Sequence, residues 1–213
     1  MLLRGATLRY DWRMDGCCAV RPIHDSQRRV LQVVLWINAA MFLAELAAGL
    51  IAHSTALIAD SVDMLGDAIV YGFSLYVIGR GPEWQARGAL LKGGIMAAFG
   101  GGVIVEVVAK LARGLTPEAS IMWTVAVVAL VANGSVLRLL RRHRGDDINM
   151  RSAWLCSRND VIANAGVLVA ALGVGLTGSA WPDILIGLAI AALFVLSAVG
   201  VVRQALAAAQ PAH

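Results

Sequence analysis

From residue 30 onward the chain is a succession of apolar runs broken by short polar turns. Six such runs stand at about 30–52, 56–79, 88–111, 119–140, 152–176 and 183–204, each near the ~20 residues a helix needs to cross a ~30 Å hydrocarbon core. None alternates apolar and polar residues as a barrel strand does, so each predicts a membrane-spanning helix. The short connections predict antiparallel neighbours in a compact bundle. Residues 1–29 read as a flexible cytoplasmic leader with six arginines, 30–204 as the six-helix membrane domain, and 205–213 as a short cytoplasmic tail. Within the leader, Met14 followed by "DGCCAVRPIHD" is a candidate native start, which N-terminal sequencing checks.

Composition agrees with that pattern. Of 213 residues, 59% are hydrophobic and 15% charged, with a mean hydropathy of +0.72. An ordinary soluble domain is roughly one quarter charged, and this chain lacks the polar surface to cover itself. The expected class is therefore an all-α integral membrane protein, a bundle of six transmembrane helices. The net charge of +4 comes from arginines gathered between apolar runs, a topology signal that gives no reason to expect a nucleic-acid partner. The leader, "RGPEWQARGALLK" and "RLLRRHRGDDINMR" are basic, whereas the opposite side holds only Lys110 and Arg113. Both termini are accordingly expected in the cytoplasm, with the chain in the cell (inner) membrane. Three cysteines, Cys17, Cys18 and Cys156, are an odd count that describes no disulfide framework. Cys17, Cys18 and His24 read either as a weak metal-capturing leader or as residues without a role.

The second run interrupts its own apolar character with Asp60, Asp63 and Asp67. On a helix these three fall within an arc of about 60°, and each carboxylate at mid-membrane costs on the order of 2.5–3.5 kcal/mol. Asp63 and Asp67, one turn apart, repel each other unless they share a cation. Asp60 reads equally as a third member of that face or as a cap near the outer end. The fifth run supplies Cys156 and Asp160 at the same i, i+4 spacing, with Asn164 one turn further on. Two helices that each offer such a pair can surround one ion with four side chains, a number that suits tetrahedral Zn²⁺. A thiolate among carboxylates favours Zn²⁺ or Cd²⁺ over Mg²⁺ or Ca²⁺. Cys156 reads equally as a small packing residue, in which case Asn159, Asn164 or water completes the shell.

Other polar residues have blander readings. Asn38 and Glu45 lie seven apart on one stripe of the first helix and can line the same interior. Glu106 and Lys110 predict a structural ion pair. Asp183 sits where a first-turn carboxylate is favoured by the helix dipole. His53 reads as a solvated turn residue, and the glycines at 93, 94 and 100–102 as sites of close helix packing.

These residues are also where the chain resembles the cation diffusion facilitator family of proton-coupled divalent-metal exporters, over nearly all of 30–204. The family's N-x6-E pattern falls on Asn38 and Glu45, and its "GSLALLADALHMLSD" parallels "AHSTALIADSVDMLGD". The resemblance implies metal ligands at Asp63, Asp67, Cys156 and Asp160, with Cys156 standing where the family has a histidine. The family's aspartate near the start of helix six matches Asp183. The chain is similar to the short form without a C-terminal cytoplasmic domain, so a homodimer is expected through transmembrane helices. Efflux of Zn²⁺ or Cd²⁺, and of Co²⁺ as a further substrate, by alternating access with H⁺ as coupling ion is the implied function. No tightly bound cofactor and no enzymatic activity are expected. The rival classes are a membrane CDP-alcohol phosphotransferase and a non-transporting metal-sensing subunit. The phosphotransferase motif requires a Gly where this chain has Met64, followed by an Ala-Arg pair that is not present.

Overall fold

The computed structural model describes residues 25–76, 82–143 and 148–209. They form six helices: α1 Asp25–Ile51, α2 Thr55–Tyr76, α3 Pro82–Arg113, α4 Ala119–Arg141, α5 Ile148–Thr177 and α6 Trp181–Ala209. Cys17, Cys18 and His24 lie outside the described residues. Among those residues, Arg28–Ile51, Ala119–Arg141 and Ala153–Thr177 are long and apolar enough by themselves to cross a membrane, while Trp181–Leu193 is a shorter apolar helix. Three aspartates interrupt α2, so its place in the bilayer depends on its neighbours.

The radial distribution of residues is the reverse of a soluble protein's. Trp36, Leu43, Val105, Val131, Leu176 and Leu196 are all more than 60% exposed, while Asn38, Glu45, Asp60, Asp67, Asn133, Asp160 and Asn164 are buried. Lipid accepts an apolar exterior without cost, and polar side chains are tolerated only where protein, water or an ion receives them.

α2 occupies the centre, packed against α1, α3, α5 and α6. A Cβ at Gly49 would stand 3.0 Å from the backbone nitrogen of Ile58, and one at Gly187 only 2.8 Å from the backbone of Thr55. Two neighbours thus approach α2 as closely as backbones allow. Consecutive helices run antiparallel, and three tight turns gather at the end opposite the chain termini. His53, with a left-handed φ of 52°, ends α1 while Ser54 N–H reaches back to Gly49 O at 2.8 Å. That wrap satisfies a free carbonyl at the helix end. Gly114 and Gly178, each with φ of 62°, turn the chain after α3 and α5.

A buried polar latch ties the helices together at this end. Asp183, in the first turn of α6, receives Thr55 N–H at 2.7 Å, Ala56 N–H at 3.1 Å and the Ser54 hydroxyl at 2.6 Å. The first amides of a helix have no partner within it, and here a side chain from α6 satisfies two of them. Ser54 Oγ also accepts Leu57 N–H at 3.1 Å, which caps α2 from within. From α3, Lys110 Nζ lies 2.5 Å from Asp183 Oδ2 and 3.3 Å from Thr55 Oγ1, with both charged side chains fully enclosed.

The expected Glu106–Lys110 pair is therefore replaced by Lys110–Asp183. A fully buried ammonium needs its counter-charge in the same dry pocket, whereas Glu106 keeps partial exposure. The glycine expectation is also revised. Gly100 packs against Val195 of α6, but a Cβ at Gly94, Gly101 or Gly102 would meet nothing within 4 Å.

Removing one partner of a buried pair strands the other. Asp183→Ala should destabilise the bundle by about 3–5 kcal/mol, read by thermal unfolding in detergent. In a double-mutant cycle, Lys110→Met combined with Asp183→Asn should lose clearly less than the sum of the two single changes. Additive losses would show that the two side chains are not coupled.

Candidate metal centre

Between two apolar clusters the bundle holds a belt of polar side chains. Towards the termini the belt is bounded by Leu31, Val34, Tyr71, Val136, Leu140 and Ala153. Towards the turns it is bounded by a larger cluster that includes Leu57, Met122, Val167 and Val174. The register follows from a few contacts. Tyr71 hydroxyl lies 3.5 Å from Ala153 O, and Asp63 forms a side-chain hydrogen bond with Asp160. α2 and α5 thus run antiparallel with Asp63 and Asp160 face to face.

Both carboxylates are among the candidate ligands that the sequence puts on separate helices. Asp67 and Asp60 lie near enough for their charges to act on Asp160 as well. Tyr71 donates its O–H to Asp67 Oδ2 at 3.2 Å, one turn further along α2. Asp60, Asp67 and Asp160 are buried, and Asp63 is half-buried. Cys156 is buried one turn before Asp160 and is disulfide-bonded in the structure, so its sulfur can meet a cation only after reduction. Among the described residues, no three His, Cys, Asp or Glu side chains close into a group that encloses an ion. The carboxylates are neighbours but not a finished shell.

The secondary candidates separate clearly. Asn38, Glu45, Asp60 and Asn164 all point into the belt, each buried to 1% exposure or less. Asp183 is at the turn end, its oxygens taken by the latch. Asn159 is exposed on the outer surface of α5 beside Arg158, whose guanidinium lies 3.5 Å from Asn159 Oδ1 and 5.8 Å from the centre of the Trp154 ring. Its place in the predicted shell is corrected: one residue before Asp160, a side chain points about 100° away from the site.

Asn133 on α4 joins the belt as well, and a lone amide inside "VVALVANGSVL" is its signal in the sequence. Its side-chain nitrogen lies 3.6 Å from Met64 Sδ, and its backbone carbonyl accepts the Ser157 hydroxyl at 3.4 Å. Asn38 and Asn164 spend their amide nitrogens on the carbonyls of Val34 at 3.0 Å and Asp160 at 2.8 Å. Among the described residues, Oδ1 of all three asparagines is buried without a hydrogen-bond partner, and so are both oxygens of Glu45 and both of Asp60. The belt is rich in acceptors and poor in donors, an arrangement that favours cations.

Six helices thus surround a belt of buried carboxylates. The chain belongs to the cation efflux family: the model of the cation efflux transmembrane domain matches residues 31–208. It is similar to the metal cation efflux system protein CzcD of Cupriavidus metallidurans, 28% identical over 176 residues, covering 75% of this chain and 56% of that protein. It is also similar to the zinc transporter ZitB of Escherichia coli, 28% identical over 189 residues, covering 82% of this chain and 60% of that protein. A cadmium, cobalt and zinc/H(+)-K(+) antiporter of Bacillus subtilis is 21% identical over 196 residues, covering 85% and 63%. The chain thus spans about three fifths of the length of these relatives, which are named as transporters and not as enzymes.

Because Asn159 faces outward, Asn159→Ala should shift stability by no more than about 0.5 kcal/mol and leave metal binding unchanged. Weakened Zn²⁺ binding in that variant, measured by calorimetry, would return Asn159 to the site.

Proposed function

We propose that the protein exports divalent heavy-metal cations, Zn²⁺ or Cd²⁺ foremost and Co²⁺ as a further substrate, from the cytoplasm in exchange for protons. The observation that carries this reading is the Asp63–Asp160 contact across α2 and α5, with Asp67 beside it, in the interior of a membrane bundle. Such a cluster is costly in an apolar medium and gains most from a shared divalent ion. The names of the relatives, which include cation efflux, zinc transport and H⁺ antiport, support the same substrate class.

Asp63, Asp67 and Asp160 bind the ion, with the reduced Cys156 thiolate as fourth ligand. The open arrangement of these groups suits a carrier, which must gather its ligands around the ion and then part them. Metal and protons compete for the same carboxylates, so binding weakens as pH falls. Protons entering from the acidic side displace the ion there, and alternating access of the bundle turns that competition into antiport. Both termini face the cytoplasm across the cell (inner) membrane, with the latch at the outer face, a reading supported by the basic character of the leader and of the loops on that side. Two copies associate through lipid-facing helices, a reading supported by the open glycines 94, 101 and 102 of α3.

The test is metal flux in proteoliposomes under an imposed pH gradient. Asp63→Ala and Asp160→Ala should each abolish proton-driven Zn²⁺ and Cd²⁺ transport. Unchanged flux in both would remove the site assignment, and absence of flux in the native protein would leave it a metal-binding subunit. Cys156→His should raise the ratio of zinc to cadmium transport, because imidazole is a harder ligand than thiolate. An unchanged ratio would take Cys156 out of the shell.

A further inference from the structure

The Asp63–Asp160 site does not account for every buried acceptor. Glu45 on α1 and Asp60 on α2 are both fully buried, and among the described residues all four of their carboxylate oxygens lack a hydrogen-bond partner. They are neighbours: Asp60 is the charge that acts most strongly on Glu45, ahead of Asp63. The close approach of Gly49 to Ile58 fixes the α1–α2 register and sets Glu45 about level with Ser61 and Val62, between the turns that carry Asp60 and Asp63. The facing of Asp63 with Asp160 brings Asn164, four residues further along the antiparallel α5, to the turn of Asp60. Asn164 directs its amide nitrogen to Asp160 O, which leaves Oδ1, buried and unpartnered, as the free end of the side chain.

We propose that Glu45, Asp60 and Asn164 form a second divalent-cation station, one helical turn from the Asp63–Asp160 site towards the latch. Three helices each contribute one group, and every contributed atom is an oxygen. Buried acceptors with no donor are strongly unfavourable in an apolar bundle. The latch shows how the same chain treats a carboxylate whose role is structural. Asp183 is surrounded by a lysine, a hydroxyl and two amides, whereas Glu45 and Asp60 have none of these. A divalent ion supplies the missing partner for both carboxylates at once.

The donor set also says what the station does. An all-oxygen site with two carboxylates holds Zn²⁺ or Cd²⁺ less tightly than one containing a thiolate. An ion passing from the first site to the second moves from tighter to looser binding and closer to the outer end. The station is thus a point of release, and it rests on the reading of the bundle as a cation pathway.

The experiment counts ions on the full-length protein, purified in detergent under reducing conditions, by equilibrium binding of Zn²⁺ and by ¹¹³Cd NMR. Native protein should bind two ions and show two ¹¹³Cd resonances, one of them in the all-oxygen range. Glu45→Gln with Asp60→Asn should bind one ion and lose the all-oxygen resonance. Asp63→Asn with Asp160→Asn should keep that resonance and lose the other. Asn164→Asp adds a third carboxylate and should tighten the weaker site by about tenfold, a gain that a misfolded variant cannot mimic.

The station is overturned if Glu45→Gln/Asp60→Asn retains both ions, or if the native protein binds one ion that disappears with Asp63→Asn/Asp160→Asn. That second outcome leaves the first site standing. If the Asp63/Asp160 variant keeps both ions, the first site fails, and the Glu45/Asp60 variant alone judges the second. A Glu45/Asp60 variant that keeps both resonances but loses the proton dependence of transport overturns the station and assigns the pair to protons.

Discussion

A carboxylate inside a bilayer must meet a positive partner, and the bundle is organised by how each of its acidic residues does so. Asp183 meets its partners within the chain: a lysine, a hydroxyl and two backbone amides converge on it from α3 and the start of α2. Asp60 and Glu45 have no such donors. The same kind of group, subject to the same desolvation penalty, therefore serves as a lock in one layer and stands without a donor in another.

The latch positions α2, and α2 carries the three aspartates. Capping the first amides of α2 from α6 fixes the axial height of that helix, while the close approaches of Gly49 and Gly187 fix its distance from α1 and α6. Those restraints set Asp63 opposite Asp160 and Asp60 opposite the turn of Asn164. A helix with three aspartates has little hydrophobic reason to sit at the centre of a membrane bundle. It is held there by the neighbours packed on its other sides. The bundle also separates functions by layer. Apolar clusters lie on either side of the polar belt, and the latch closes the turn end beyond them.

Much of this was legible in one dimension. Runs of about 20 apolar residues announce six helices because a bilayer imposes one length on every span. The i, i+4 spacing of Asp63 with Asp67 and of Cys156 with Asp160 announces two helix faces because helical geometry is local. Asn159 is one position from Asp160 yet faces outward, since adjacent residues on a helix diverge by about 100°. Spacing alone pairs Lys110 with Glu106, yet the structure gives it to Asp183, 73 residues away. Spacing reveals which partners are available along one helix, but not whether a better one arrives from another.

The sequence by itself determined the class of the protein, the number of its helices and which faces of α2 and α5 carry carboxylates. All of these follow from composition and from the period of a helix. The tertiary structure decided which polar residues are satisfied and which are not. That difference depends on donors delivered by distant segments: Lys110 and the α2 amides reach Asp183, and among the described residues no equivalent donor reaches Glu45 or Asp60. Partner choice between helices is a matter of register and crossing, and only the packed bundle sets those.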